Sequence, residues 1–111
     1  MNNRDSPIVY VCSPYSGDVE RNTEMAKRYC RYAISKGAIP LAAHLYLPAF
    51  LSEETERELA IRIDLRFLAL CRELWVFGGR ISEGMRREID HAGVLGIPVR
   101  YIKEDFNVRD Q

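Results

Sequence analysis

Two acidic side chains, Asp64 and Glu88, keep unusual company for helical carboxylates. Asp64 falls in the largely apolar stretch 61–70. Glu88 lies two turns into a helical pattern that begins Ser82-Glu83-Gly84-Met85-Arg86-Arg87, on the face shared by the Ser82 loop and Ala92. A helical acid is ordinarily a solvated charge, and either residue alone would be read that way. Two carboxylates brought to one site are what glycosidic chemistry requires. One attacks or stabilises the anomeric carbon while the other positions the sugar or handles a proton.

Two loops could serve such a pair. Ser13-Pro14-Tyr15-Ser16-Gly17 lies between a strand pattern and a helix pattern, where backbone N–H groups and the helix dipole can hold an anion. A polar turn with a helix cap at Asp18 or Asn22 explains the same residues equally well. The loop is neither G-x-G-x-x-G nor a Gly-Lys-Ser/Thr phosphate loop, which weakens dinucleotide and nucleoside triphosphate readings. Ser82-Glu83-Gly84 follows Gly78-Gly79 and opens a helix. Its Ser82 hydroxyl suits a phosphate or, more commonly, a helix N-cap. Arg80, Arg86 and Arg87 lie nearby, and one of them could neutralise a phosphate. His44 follows the second strand pattern, where a lone histidine more often caps the strand end than touches a ligand.

The elements that must position these residues follow from changes of apolar period. Ile8–Cys12 is a short, nearly continuous apolar run, as expected of a strand covered on both faces. A helix is predicted from about Glu20 to Ser35, stopped at Lys36-Gly37. A second strand is predicted over Ala38–Ala43, late-starting or near an edge because of Pro40. An apolar and aromatic loop runs from His44 to Ser52. A capped helix start at Ser52–Glu56 leads into a helix carrying Leu59, Ile63, Phe67 and Leu70 up to Cys71. Glu73–Phe77 is the third strand, Ser82–Leu95 the third helix closed by Gly96, and Ile97–Ile102 the fourth strand. The order β-α-β-α-β-α-β predicts an α/β fold: a doubly wound, flavodoxin- or Rossmann-like four-stranded parallel sheet in the order 2-1-3-4, with helices on both faces. Ligands in such folds bind beyond the carboxyl ends of the strands where the strand order reverses. That rule selects the loops already singled out.

The remaining numbers set bounds. The 111 residues fit one domain, with an ordered core over about 7–103 and a polar tail after it. Sixteen acidic and sixteen basic residues cancel, which argues against a general nucleic-acid or membrane-surface binder. Three scattered cysteines and two histidines predict reduced thiols, no disulfide frame and no metal. No apolar run approaches a membrane span, and a cytoplasmic protein without a cofactor is expected.

Four blocks resemble the nucleoside 2-deoxyribosyltransferase superfamily, including its 2′-deoxynucleoside 5′-monophosphate N-glycosidase branch. They look closer still to the short, often phage-encoded domains related to it. Val9-Tyr10-Val11-Cys12-Ser13-Pro14-Tyr15-Ser16-Gly17 looks like the family's first strand with its sugar- and phosphate-binding loop. Ala42-Ala43-His44 occupies the position after the second strand. Asp64-Leu65-Arg66-Phe67-Leu68 is similar to the D-L-x-x-L segment, and Ser82-x-Gly84-x-x-x-Glu88-x-x-x-Ala92 to the helix that bears the nucleophile. The spacing from Asp64 to Glu88 matches that layout without gaps.

The resemblance implies a double displacement on a nucleoside or nucleoside 5′-monophosphate. Glu88 attacks C1′ and the base leaves; water or a second base then resolves the glycosyl ester. Asp64 orients the sugar or Glu88, and Tyr15 steadies the nucleophile or the sugar. Ser13, Ser16, Gly17 and Ser82 line the 5′ end with Gly84, and His44 is carried as a binding candidate. Ser82 leans towards a 5′-monophosphate, with Arg86 as a candidate to serve it. The resemblance also implies a homodimer or higher homo-oligomer. Two other classes compete: a nucleotide-binding or sensing module without turnover, and an interaction protein using the apolar loop Leu45–Leu51 and a helix face.

Overall fold

A computed structural model describes residues 5–103, so the polar tail expected after residue 103 lies outside the described residues. Four strands, β1 (Ile8–Cys12), β2 (Ile39–Leu41), β3 (Glu73–Val76) and β4 (Val99–Tyr101), form one sheet in the order β2-β1-β3-β4. Every pairing is parallel. Three helices connect them: α1 (Val19–Ser35), α2 (Arg57–Leu68) and α3 (Glu83–Leu95). The expected fold class and strand order are those observed.

The period of two in β1 divides the core into two layers. Val9 and Val11 point to one face, where Tyr29 and Ala33 of α1 pack with Ala38, Trp75 and Phe77. Tyr10 and Cys12 point to the other, among Leu68, Leu74, Val76, Met85, Ile89 and Ala92. This alternation is the geometric consequence of strand pleating, with both faces covered as a parallel sheet demands. In α1, Ala26, Tyr29 and Ala33 form the buried stripe, and Tyr29 stacks on Phe77 at 4.5 Å between centroids. Asp18 caps this helix by accepting from the Arg21 amide at 3.2 Å. Asn22 donates to the carbonyls of Tyr15 and Ser16 and so braces the loop after β1.

Three elements differ from expectation, the fourth strand simply by covering Val99–Tyr101 and not the whole of Ile97–Ile102. The second strand is shorter than Ala38–Ala43, because after Leu41 the chain winds into two 3-10 turns, Ala43–Leu45 and Leu47–Ala49. Pro40, with no amide hydrogen to donate, limits the ladder at this edge. The second helix begins at Arg57 rather than at Ser52. Residues 52–56 close a separate turn in which the Ser52 amide donates to Glu56 Oε1 (2.8 Å) and the Thr55 amide donates to Ser52 Oγ (3.3 Å). The capping residues were legible, but their bonds are satisfied within that turn. The apolar loop is likewise divided. Leu47 is buried and Leu51 packs on the same core layer, while Tyr46 and Phe50 stay exposed as an edge-to-face pair at 5.0 Å.

At the end of β3 the chain turns at Gly78, whose φ of +90° suits glycine alone. A Cβ there would also meet Pro14 Cδ at 3.4 Å. Gly78→Ala is therefore expected to destabilise the protein by about 1–2 kcal/mol, read as a lowered urea midpoint with an unchanged m-value. Among the described residues no helix is long and apolar enough to cross a membrane.

Candidate active site

In this topology β1 and β3 are neighbours whose following connections leave towards opposite faces, so a crevice opens beyond their carboxyl ends. A cavity of about 320 Å³ lies there, near the lower end of the roughly 300–1,000 Å³ typical of small-molecule sites. The loop after β1, the 3-10 turns, the first two turns of α2 and the start of α3 all contribute walls.

Helical periodicity brings both carboxylates inward. Asp64 lies between Ile61 and Leu68, the two buried residues of α2, at spacings of three and four. Glu88 stands between Met85 and Ala92 of the buried stripe of α3. Both line the cavity. Glu88 accepts a 2.8 Å hydrogen bond from the Tyr10 hydroxyl. Desolvation pushes the Glu88 carboxyl up to about 7, opposed by the hydrogen bonds of Tyr10 and Cys12. Asp64 is also raised to about 7, first by desolvation and then by the charges of Glu88 and Glu53. Its Oδ1 is buried with no hydrogen-bond partner. The two acids therefore form a pair in which proton uptake by one makes ionisation of the other easier.

Tyr10 was not among the residues singled out from sequence; it passed as part of an apolar strand. It is almost completely buried, and burial, followed by the charge of Glu88, holds its hydroxyl well above the ordinary tyrosine range. It is thus a hydrogen-bond donor at any physiological pH. The available signal was chemical: a tyrosine inside a strand covered on both faces must find a partner for its hydroxyl. Cys12 behaves differently. Burial and then the Glu88 charge keep its thiol protonated, so it is not a nucleophile.

The remaining candidates divide. Ser13, Tyr15, Ser16, His44, Ser82 and Gly84 all line the cavity. Ser13 Oγ and His44 Nε2 lie 3.2 Å apart, and the His44 ring stands beside Tyr15 at 5.8 Å. Burial depresses His44 to about 4, so the imidazole is neutral near pH 7. Ser82 is the N-cap of α3, its hydroxyl accepting from the Met85 amide at 3.2 Å while its own amide donates to Met85 Sδ at 3.5 Å. Gly17, at φ +95°, turns the loop and is not a lining residue. Arg86 is not one either: it is exposed, with its guanidinium 3.8 Å from Asp90. Glu53 and Arg57, which the sequence did not single out, do line the cavity. Among the described residues no group of three or more His, Cys, Asp or Glu is placed to hold a metal ion.

A family model for a domain of unknown function (DUF7768) matches residues 7–102. No curated protein matches the chain by sequence. A 2-deoxyribosyltransferase from the psychrotolerant bacterium Bacillus psychrosaccharolyticus has a similar solved structure, with a TM-score of 0.59 and 21% identity. The alignment covers 91% of this chain and 77% of that one. At that identity the likeness is one of fold.

Proposed function

Starting from a chain that belongs to the DUF7768 family and folds like a 2-deoxyribosyltransferase, we propose that it cleaves or exchanges the N-glycosidic bond of a nucleoside or nucleotide. The observation that carries this reading is the cavity-lining Glu88, hydrogen-bonded by Tyr10 and coupled to an Asp64 whose Oδ1 has no partner. In its ionised form Glu88 attacks C1′ of the sugar. The C1′–N bond breaks, its electron pair leaves with the base, and a glycosyl ester of Glu88 remains. Water then attacks C1′ to release the free sugar, or a second base attacks to form a new nucleoside; either restores the carboxylate.

The surroundings fit this division of labour. The Tyr10 hydroxyl directs and stabilises the Glu88 carboxylate, and desolvation keeps it from being masked by water. Asp64, raised by the same desolvation and by the Glu88 charge, turns its open oxygen to a sugar hydroxyl. Neutral His44, paired with Ser13 and flanked by Tyr15, offers a polar and aromatic wall for the sugar or base. The second copy implied by the resemblance belongs to the same proposal, and light scattering would count it.

The test is incubation with a panel of ribo- and deoxyribonucleosides and their 5′-monophosphates, with and without an acceptor base, read by chromatography. Release or exchange of base is expected. Binding of these ligands without either product would make the protein a sensor and overturn the catalytic reading. Tyr10→Phe is expected to lower turnover by roughly 10- to 100-fold, the worth of one hydrogen bond to a charged group. The loss should fall in kcat, with KM little changed.

A further inference from the structure

At one end of the cavity four polar side chains from three parts of the chain are tied together. Ser16, from the loop after β1, donates to Glu53 Oε2 at 3.0 Å. Arg57, in the first turn of α2, donates through one terminal nitrogen to the same Oε2 at 2.9 Å. Through its other terminal nitrogen it donates to Glu83 Oε1, at the start of α3, at 3.2 Å. Both bonds to Glu53 land on Oε2, so Oε1 receives no hydrogen bond from the described residues.

The balance of charge at this end is unfavourable to an anion. Arg57 is the one lysine or arginine among the lining residues, against Glu53, Asp64 and Glu88. Both terminal nitrogens of its guanidinium are already paired with carboxylates. The start of α3 is occupied in the same sense: Ser82 satisfies the Met85 amide, and Glu83 places a negative charge in the first turn. A phosphate dianion entering here would have to share Arg57 with the carboxylates of Glu53 and Glu83 and bear the repulsion of both. An uncharged hydroxyl meets no such obstacle, and Glu53 Oε1 is free to accept from it.

We propose that the Ser16–Glu53–Arg57–Glu83 cluster makes the site selective for unphosphorylated nucleosides, with Glu53 accepting a hydrogen bond from a sugar hydroxyl and its charge excluding 5′-phosphorylated ligands. This rests on the N-glycosidic reading above and chooses between the two substrate classes which that reading leaves open. It reverses the lean towards a 5′-monophosphate drawn from Ser82, whose hydroxyl is engaged as a helix cap, and from Arg86, which lies outside the cavity wall.

The experiment compares kcat/KM for deoxynucleosides and their 5′-monophosphates in the parent, Glu53→Gln and Glu53→Asp, with thermal-shift binding of the same ligands alongside. The parent is expected to favour the nucleoside by at least ~10-fold. Glu53→Gln removes the charge and weakens the hold on Arg57 by replacing a carboxylate acceptor with an amide oxygen. It should raise nucleoside KM and improve use of the monophosphate, narrowing the preference by ~10-fold or more. Glu53→Asp keeps the charge and should keep the exclusion of phosphate. A parent that prefers the monophosphate, or a Glu53→Gln variant that moves both substrates in parallel, overturns the proposal while leaving the N-glycosidic reading intact. If the parent releases base from neither class, that reading fails, and the binding arm decides selectivity: a larger shift with the monophosphate, or none with either ligand, overturns it.

Discussion

Glu88→Gln is expected to abolish base release, by on the order of 10³-fold or more, while leaving the protein folded and more stable than the parent above pH 7. The two effects share one cause. Glutamine keeps an oxygen that can accept from Tyr10 but cannot form the glycosyl ester. It also removes the cost of ionising a carboxyl that desolvation has pushed up to about 7. Turnover by the parent and variant, and their urea unfolding at pH 8, check both halves. A variant that loses activity only because it unfolds would show the opposite change in midpoint. A variant that retains activity would remove Glu88 from the chemistry.

The second expectation concerns pH. An acid whose pKa is raised on folding binds its proton more tightly in the native state than in the unfolded chain. Its stabilising contribution is complete below the unfolded value, near 4, and is lost as pH rises through the native value. For the Asp64–Glu88 pair that window runs from about 4.5 to 7. One proton shifted across it corresponds to roughly 3 kcal/mol, or a fall in Tm on the order of 10 °C for a domain this size. The exposed Glu58, held below the ordinary carboxylate range by its hydrogen bonds and ion pair with Arg87, has the opposite sign but acts only at lower pH. Comparing parent with Glu88→Gln isolates the cavity pair: the variant's advantage should grow between about pH 4.5 and 7 and level off above. A constant gap would mean that Glu88 titrates as an ordinary surface acid. Turnover should run the other way, rising through about pH 7 as Glu88 becomes able to attack.

How much of this was legible in the sequence depends on the kind of information each residue carries. The sheet order and its helices follow from runs such as Ile8–Cys12, because burial on both faces leaves a composition that strands alone explain. Asp64 could be singled out because it falls in a largely apolar stretch, and Glu88 because it shares a face with Ala92 and the Ser82 loop. The start of α2 was not legible: Ser52 and Glu56 satisfy the local capping pattern whether or not a helix follows immediately. Tyr10 was missed because an alternating or continuous apolar pattern reports which side chains are buried, not what their polar ends touch. Glu53 and Arg57 were missed for a different reason. They meet Ser16 and Glu83 only after three separate segments converge, and charged residues in a helical region look the same whether they face solvent or a cavity.

The division of the core into two layers has a practical corollary. Trp75, the single tryptophan, belongs to the layer under α1, on the far side of the sheet from Tyr10 and Glu88. Its indole donates to Glu73 at 2.7 Å, and the Arg100 guanidinium covers its ring at 5.2 Å. Its fluorescence is consequently a reporter of whether the sheet is assembled and is blind to whether the crevice is occupied. Tyr15 stands at the ligand side, so occupancy would be followed through tyrosine absorbance, giving two independent optical channels for folding and for binding.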